Sequence, residues 1–192
     1  MKTRMVFLGL LMAVPLQAQQ MPPAQQSPRF TLGVTGGGAS ASGDLGGTAA
    51  WQTGWSAAAN LTYRLSTKMG VRADAGFSQN DLSGSSGVPG EQRFDKMSYL
   101  ASAVWQRKGM APVRAKPMPY LLAGLGMVRV SDKGSDSSFT NAAGNLGLGV
   151  GYSLGKLGLR AEGRDLIYKF DHFGYNKTQN DFLWQAGVTL GF

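Results

Sequence analysis

The sequence predicts an all-β protein, an eight-stranded antiparallel up-and-down transmembrane β-barrel. Eight stretches of the chain alternate apolar with small or polar residues, and the connections between them alternate in length. Beyond the N-terminus no apolar stretch approaches the twenty or so residues that a membrane-spanning helix needs, and 28 glycines disfavour long helices. At 192 residues the chain suits a single domain.

The first 18 residues have the layout of a secretory signal peptide. Lys2 and Arg4 precede an apolar stretch from Met5 to Leu16, and Ala18 supplies a small residue for cleavage. Residues 19–28 are rich in Pro and Gln and predict an unstructured lead. The barrel is therefore expected over residues 29–192. Because the chain contains no cysteine, an exported product has no disulfide framework.

The alternating stretches define the strands and their order. Clusters of Gly, Ser, Asn, Asp and Pro separate them, as turns require. Short connections such as "STKMG" and "GK" alternate with long ones, except that the long "RKGMAPVRAKPMP" falls on the short side. This arrangement with an even number of strands is typical of an up-and-down barrel. The strands are predicted at residues 29–37, 54–65, 70–79, 94–106, 119–130, 141–154, 156–168 and 180–192.

Several strands have one wholly apolar face and one face that carries charge. In the third strand Val71 and Ala73 alternate with Arg72 and Asp74, and the second and seventh strands show the same pattern. The last run, "FLWQAGVTLGF", is apolar at every second position. The fifth strand, "YLLAGLGMVRV", is apolar on both faces, so its register stays open.

Alternation alone does not say whether the apolar face meets lipid or lines a greasy interior, as in a lipocalin. The aromatic residues favour lipid, because they fall into two groups by height, as the aromatic belts of membrane barrels do. The group near the short-turn end contains Phe30, Tyr63, Trp105, Tyr120, Tyr152 and Phe192. The group near the long-loop end contains Trp55, Phe77, Tyr99, Tyr168, Phe182 and Trp184.

The charged faces are then expected to point into a narrow interior and to pair there. The predicted interior network contains Arg72, Asp74, Arg160, Glu162 and Arg164, with Arg64 and Arg129 as further candidates. A packed polar plug is the favoured reading, and a gate that opens when the pairs rearrange is the alternative.

Two internal motifs and the terminal strand resemble segments of a known protein family. "PYLLAGLG" at residues 119–126, "GLRAEGRD" at 158–165 and the terminal "VTLGF" are similar to segments of the OmpA/OmpX-type small outer-membrane β-barrels, and the likeness covers residues 29–192. The resemblance implies location in the cell outer membrane. It also implies that Val188, Leu190 and Phe192 form a signal read by the barrel-assembly machinery. OmpA itself has a peptidoglycan-binding domain after its barrel, and because this sequence stops at Phe192, no cell-wall anchoring is expected.

The sequence favours a non-enzymatic role. It contains no cysteine or histidine cluster for a metal and no Gly-Lys-Ser/Thr loop for a nucleotide, so no metal or cofactor is expected. The single histidine, His172, lies in the predicted loop "KFDHFGYNKTQN", which has no serine to complete a hydrolase site. A structural or surface-interaction role with four exposed loops is the leading hypothesis. A narrow pore or carrier is the alternative, and a lipid-modifying enzyme is favoured least.

The charges suggest which partners each end meets. Removing Lys2 and Arg4 from the 19 basic residues leaves 17 against 11 acidic ones, an excess too modest to suggest nucleic acid. The connections on the short-turn side are basic, with Lys68, Arg107, Lys108, Arg114, Lys116 and Lys156. Most of the acidic residues, including Asp181, are predicted to lie in the long loops, together with some basic residues, including Lys96. Expected partners are outer-membrane lipids, lipopolysaccharide and a surface ligand of unknown identity.

Overall fold

The computed structural model describes residues 28–42, 50–83, 92–106, 117–132, 138–172 and 175–192. The predicted signal peptide and nearly all of the Pro/Gln-rich lead lie outside these residues, as does the whole of the basic connection 107–116. The regular structure in the described part of the chain consists of strands and short turns. No helix there is long and apolar enough to span a membrane.

Eight long strands form the wall of a closed barrel. Each pairs antiparallel with its neighbour along the chain, and β9 returns to pair with β1. The two-residue β2 pairs with the top of β4 and does not interrupt the wall. The predicted eight-stranded up-and-down barrel is therefore confirmed. The strands are β1 (Phe30–Ser42), β2 (Ala50–Trp51), β3 (Gly54–Arg64), β4 (Met69–Ser83), β5 (Gln92–Gln106), β6 (Pro117–Asp132), β7 (Ser138–Leu154), β8 (Leu157–His172) and β9 (Tyr175–Gly191).

The register of the strands sets the width of the barrel. Followed once around the wall through aligned partners, Ala41 on β1 leads back to Thr31 on the same strand, a stagger of ten residues. With a rise of about 3.3 Å per residue and strands about 4.8 Å apart, this stagger tilts eight strands by about 40°. A barrel of this size has an interior just wide enough for side chains. The path runs through Asp181, Leu166, Asn145, Gly124, Ser102, Arg72 and Thr62.

The seam between β1 and β9 closes the sheet. At its lower end the N–H of Phe30 donates to the carbonyl of Phe192 at 3.1 Å, and the N–H of Phe192 donates back to Phe30 at 3.0 Å. The ladder continues upward to the pair of Ser42 and Asn180. Since an unpaired backbone group in hydrocarbon costs several kcal/mol, a closed seam is what allows this sheet to lie in lipid.

The outer face of the wall is apolar and the inner face is largely polar. Leu125 on the outside is 75% exposed, whereas Arg72 on the inside is 1% exposed. This distribution is that of a transmembrane barrel and contradicts the lipocalin-like alternative, in which the apolar side chains would line the interior. Other exposed apolar side chains of the wall are Leu32, Val34, Leu61, Val71, Leu121, Leu146, Leu148, Val150, Leu159, Val188 and Leu190.

Most of the predicted aromatic residues form two girdles on the outer face. Trp55 and Tyr63 lie eight residues apart on β3, which at this tilt separates the girdles by about 20 Å along the barrel axis. In the lower girdle the ring of Phe30 lies 4.9 Å from Tyr63 and stacks on Phe192 at 6.0 Å. In the upper girdle the rings of Trp55 and Phe77 are 5.2 Å apart. The girdle residues on the outside also include Trp105, Tyr152, Tyr99, Phe182 and Trp184.

Two predicted girdle residues lie inside the barrel instead. Tyr120 is 6% exposed and Tyr168 is 3% exposed, and both hydroxyls donate to interior carboxylates. The prediction sorted aromatic residues by height and gave no weight to their parity. In β8, Tyr168 has the parity of Arg164, and in β6 both faces are apolar, so the inward position of Tyr120 had no local signal.

The strands extend further than predicted at the long-loop end. β1 continues to Ser42 and β9 begins at Tyr175, because the ladder persists where outward side chains such as Ser40 and Lys169 are polar and the alternation fades. Of the predicted fourth loop, residues 169–180, the described parts 169–172 and 175–180 are instead the ends of β8 and β9, which pair with each other. His172 is accordingly the last residue of β8, and its side chain lies outside the described part.

We predict that a methyl group added at Gly187 weakens the closing seam. Its Cβ would collide with the carbonyl oxygen of Val34 and lie 2.7 Å from the Cα of Thr35. Gly187→Ala should therefore lower the free energy of unfolding by about 1–3 kcal/mol. The measurement is urea unfolding in detergent, followed by the difference in gel migration between unheated folded and unfolded protein. Gly36→Ala on the same seam is the control, since its Cβ would meet only Ser56 at 3.7 Å. Equal midpoints for the two variants would contradict the prediction.

Candidate functional site

The five charged residues predicted for the interior come together in one buried cluster. Arg72 and Asp74 project from β4, and Arg160, Glu162 and Arg164 project from β8. β4 and β8 are separated by three wall strands on either side, so they stand opposite each other in the barrel. Each of the five side chains is buried. The cluster therefore joins opposite walls through the middle of the interior.

Arg72 is the centre of this cluster. Its Nε donates to both carboxylate oxygens of Asp74 at 2.9 and 3.0 Å, while Nη1 and Nη2 donate to the two oxygens of Glu162 at 2.6 and 2.8 Å. A bidentate pair of this kind fixes both position and orientation. The hydroxyl of Tyr120 also donates to Glu162, at 2.7 Å. Glu162 is thereby held from β4 and from β6.

Arg164 links the charged cluster to a neutral network on the neighbouring walls. It lies 3.3 Å from Asp74 and 3.5 Å from Glu162, and its Nη2 donates to the side-chain oxygen of Gln185 at 3.1 Å. The amide of Gln185 in turn donates to Ser56 at 3.0 Å. Neither Gln185 nor Ser56 belonged to the predicted network, although each shares the inward parity of its strand.

Arg160 is held less completely than Arg72. Its Nη1 donates to Asn60 at 3.0 Å, and its Nε lies 4.0 Å from Glu162, at the limit for an ion pair. Within the described structure Nε and Nη2 have no hydrogen-bond acceptor. Three arginines face two carboxylates in this cluster, so one positive charge is in excess, and Arg160 is the arginine with the fewest partners.

A second buried ion pair lies nearer the long-loop end. The Nζ of Lys96 on β5 lies 2.5 Å from Asp181 on β9, and the hydroxyl of Tyr168 donates to the same carboxylate at 3.1 Å. Both charges were assigned to exposed loops, which is wrong: they lie within the predicted strand ranges 94–106 and 180–192, and their side chains are buried inside the barrel. The inward parity that Asp181 shares with Gln185 would have indicated its position. The surrounding apolar cluster contains Phe94, Leu100, Val128, Val130, Phe139, Ala143, Leu166 and Tyr168.

The two additional arginines lie elsewhere. Arg129 is exposed on the outer face, where its Nη2 donates to Ser138 at 3.0 Å, so it does not belong to the interior network. Arg64 is half-buried at the short-turn end. Arg129 was predicted as an interior candidate because β6 is apolar on both faces, so the sequence did not show which of its faces points inward. In the described residues no group of three or more acidic or histidine side chains is placed to hold a metal ion.

Comparisons with known proteins agree with this architecture. A family model described as "outer membrane protein beta-barrel domain" matches residues 6–192. Neisserial surface protein A has a similar structure, with a TM-score of 0.64 and 23% identity over 88% of this chain and 100% of that one. The outer membrane protein OprG from Pseudomonas aeruginosa is similar with a TM-score of 0.53 and 15% sequence identity, over 86% of this chain and 96% of that one. The structure of the outer membrane protein AlkL in lipid bilayers is similar with a TM-score of 0.53 and 14% sequence identity, over 93% of this chain and 97% of that one. At these identities the likeness shows the fold. No curated protein matches the chain.

We predict that removing the central guanidinium destabilises the barrel strongly. Arg72→Met leaves Asp74 and Glu162 buried without their main partner, which should lower the free energy of unfolding by about 3–5 kcal/mol. Urea unfolding in detergent measures the loss. Arg93→Met is the control, because the Arg93–Asp81 pair is exposed and should contribute about 0–1 kcal/mol. A loss for Arg72→Met no larger than that of the control would show that the cluster does not hold the walls together.

Proposed function

This chain belongs to the outer-membrane protein β-barrel family, and we propose that within the family it has a structural and surface-interaction role. The observation that carries the proposal is the filled interior. In the described part of the barrel, the cluster around Arg72 occupies the middle and the apolar cluster with the Lys96–Asp181 pair lies above it. These two layers support a plug rather than a conduit.

Opening a path for solutes would require both layers to move. The Arg72–Glu162 and Lys96–Asp181 pairs would have to separate, and breaking a buried ion pair costs about 3–5 kcal/mol. The apolar cluster would also have to take up water in place of packed side chains. The cost of these changes disfavours the alternative of a pore or carrier.

The part of the wall above the upper girdle supports a role at the surface. There the outward side chains change from apolar to polar, while the strands remain paired up to Ser42, Ser83 and His172. A rigid wall that rises beyond the lipid presents its connections at a fixed height above the membrane. Neisserial surface protein A, which by its name is a surface protein, shares this fold.

Two outward-facing cations are suited to contact lipopolysaccharide. Arg129 follows the exposed Met127 on β6 by two residues, and Lys169 follows the exposed Ile167 on β8 by two. Each therefore lies where the apolar surface ends and anionic headgroups begin. Arginine and lysine bind phosphate groups well, and near an anionic membrane surface each contributes about 1 kcal/mol. We assign these residues to lipopolysaccharide phosphates rather than to the interior.

The proposed role is non-enzymatic. The carboxylates of Asp74 and Glu162 are engaged by arginines, and that of Asp181 by Lys96, which leaves them poorly placed for acid–base chemistry. The proposal also retains the barrel-assembly machinery as a partner during biogenesis. Val188 and Leu190 on β9, and Phe192 directly after it, have exposed side chains next to the closing seam.

A planar-bilayer experiment separates the plug from the pore. We expect the purified wild-type barrel to give no sustained conductance steps, because the interior is closed by two packed layers. A general porin of known conductance inserted in the same way serves as the positive control. Reproducible wild-type steps that change size in Glu162→Gln would overturn the plug and establish the alternative.

The lipid contact is tested by binding to purified lipopolysaccharide. The double variant Arg129→Gln with Lys169→Gln should bind about tenfold or more weakly at low salt, since two contributions of about 1 kcal/mol are removed. The double variant Arg29→Gln with Lys68→Gln makes the same change in charge at the opposite end, on two exposed residues, and should bind as the wild type does. An equal loss of affinity in both double variants would show that binding depends only on the net charge of the protein, and it would contradict the assignment.

A further inference from the structure

A cavity of about 150 Å³ occupies the short-turn end of the barrel, the end opposite to the proposed surface contacts. It extends from the turn residues Gly155 and Lys156 to the underside of the charged cluster, where Arg72, Arg160 and Tyr120 line it. Elsewhere a cavity of about this volume holds one benzene-sized molecule, so this one has room for a small ligand.

All the ionisable groups with a full charge that line this cavity, among the described residues, are cationic. They are Arg64, Arg72, Arg160 and Lys156. The carboxylates of Asp74 and Glu162 lie deeper in the cluster and do not line it. Thr31, Thr62, Thr189 and Ser153 add hydroxyl groups to the lining, and Gln106 adds a side-chain amide. A low-dielectric pocket with one sign of charge concentrates ions of the opposite sign.

Arg160 is the arginine of the cluster that is paired most weakly with a carboxylate, since its Nε lies 4.0 Å from Glu162. It is 9% exposed, and its Nε and Nη2 have no acceptor in the described structure. These two nitrogens form the edge of the guanidinium group that binds two oxygens of one oxyanion in parallel. Both atoms are covered, so the side chain must rotate toward the cavity, away from Asn60, to present this edge.

We propose that this cavity is a binding site for a phosphate group, in which Arg160 is the main ligand and Lys156 attracts the anion at the entrance. The phosphate neutralises the excess positive charge of the cluster, and its oxygens accept hydrogen bonds from Nε and Nη2 of Arg160. Free phosphate and the headgroup of a phospholipid both offer this chemistry. The site lies at the opposite end of the barrel from Arg129 and Lys169, so the phosphate site and the proposed surface role are tested by separate experiments.

The experiment measures binding of inorganic phosphate to the folded barrel in a non-ionic detergent at low ionic strength. We expect saturable binding to the wild type and at least a tenfold loss in Arg160→Gln. A second variant does not touch the buried cluster: Lys156→Gln should bind two- to fivefold more weakly. Lys68→Gln is its matched control, because Lys68 is also an exposed lysine in a short turn but does not line the cavity.

Two further measurements keep the outcome decisive. The Nε–H resonance of Arg160 in the wild-type barrel should shift on phosphate addition, which tests the site even where Arg160→Gln does not fold. Titration with a short-chain phosphatidylglycerol below its micellar concentration then identifies the source: a shift with the lipid alone assigns the site to a headgroup, and a shift with phosphate assigns it to the free ion. No shift with either probe, or equal losses in Lys156→Gln and Lys68→Gln, would overturn the proposal.

Discussion

The requirement that backbone N–H and C=O groups in hydrocarbon be paired governs the structure of this protein. An open sheet would leave two edges of unpaired groups in lipid, so β9 must return to β1, and the register around the wall must close. With eight strands and a stagger of ten residues, closure leaves an interior only as wide as the side chains that fill it. The composition of the inner face follows from that width.

A narrow interior makes charged side chains costly unless they meet partners across the barrel. Arg72 meets this demand because β4 and β8 stand opposite each other, so its guanidinium reaches both Asp74 beside it and Glu162 on the far wall. Tyr120 adds a third attachment. The cluster acts as a strut between opposite walls, and in the proposed plug the same contacts that stabilise the barrel also close it to solutes.

The two ends of the barrel differ in chemistry, and this difference organises the functional proposals. Above the upper girdle the wall stays paired while its outer face becomes polar, which suits contact with headgroups and with other surfaces. Below the charged cluster, the excess arginine borders a cationic cavity that faces the short turns. One barrel can therefore have a surface role at one end and an anion site at the other, with the cluster as a partition between them.

Local periodicity was enough to determine from the sequence the class of fold, the eight wall strands and the polarity of their faces. Where alternation was strict, as in β4 and β8, parity identified Arg72, Asp74, Arg160, Glu162 and Arg164 as inward residues. It could not place Tyr120 or Arg129, because β6 is apolar on both faces. Only the tertiary structure showed that Lys96 and Asp181 pair, that Tyr168 joins them, and that two nitrogens of Arg160 have no hydrogen-bond acceptor among the described residues. The reason is physical: a face is decided by neighbours along one strand, whereas a partner is decided by the stagger and width of the closed barrel.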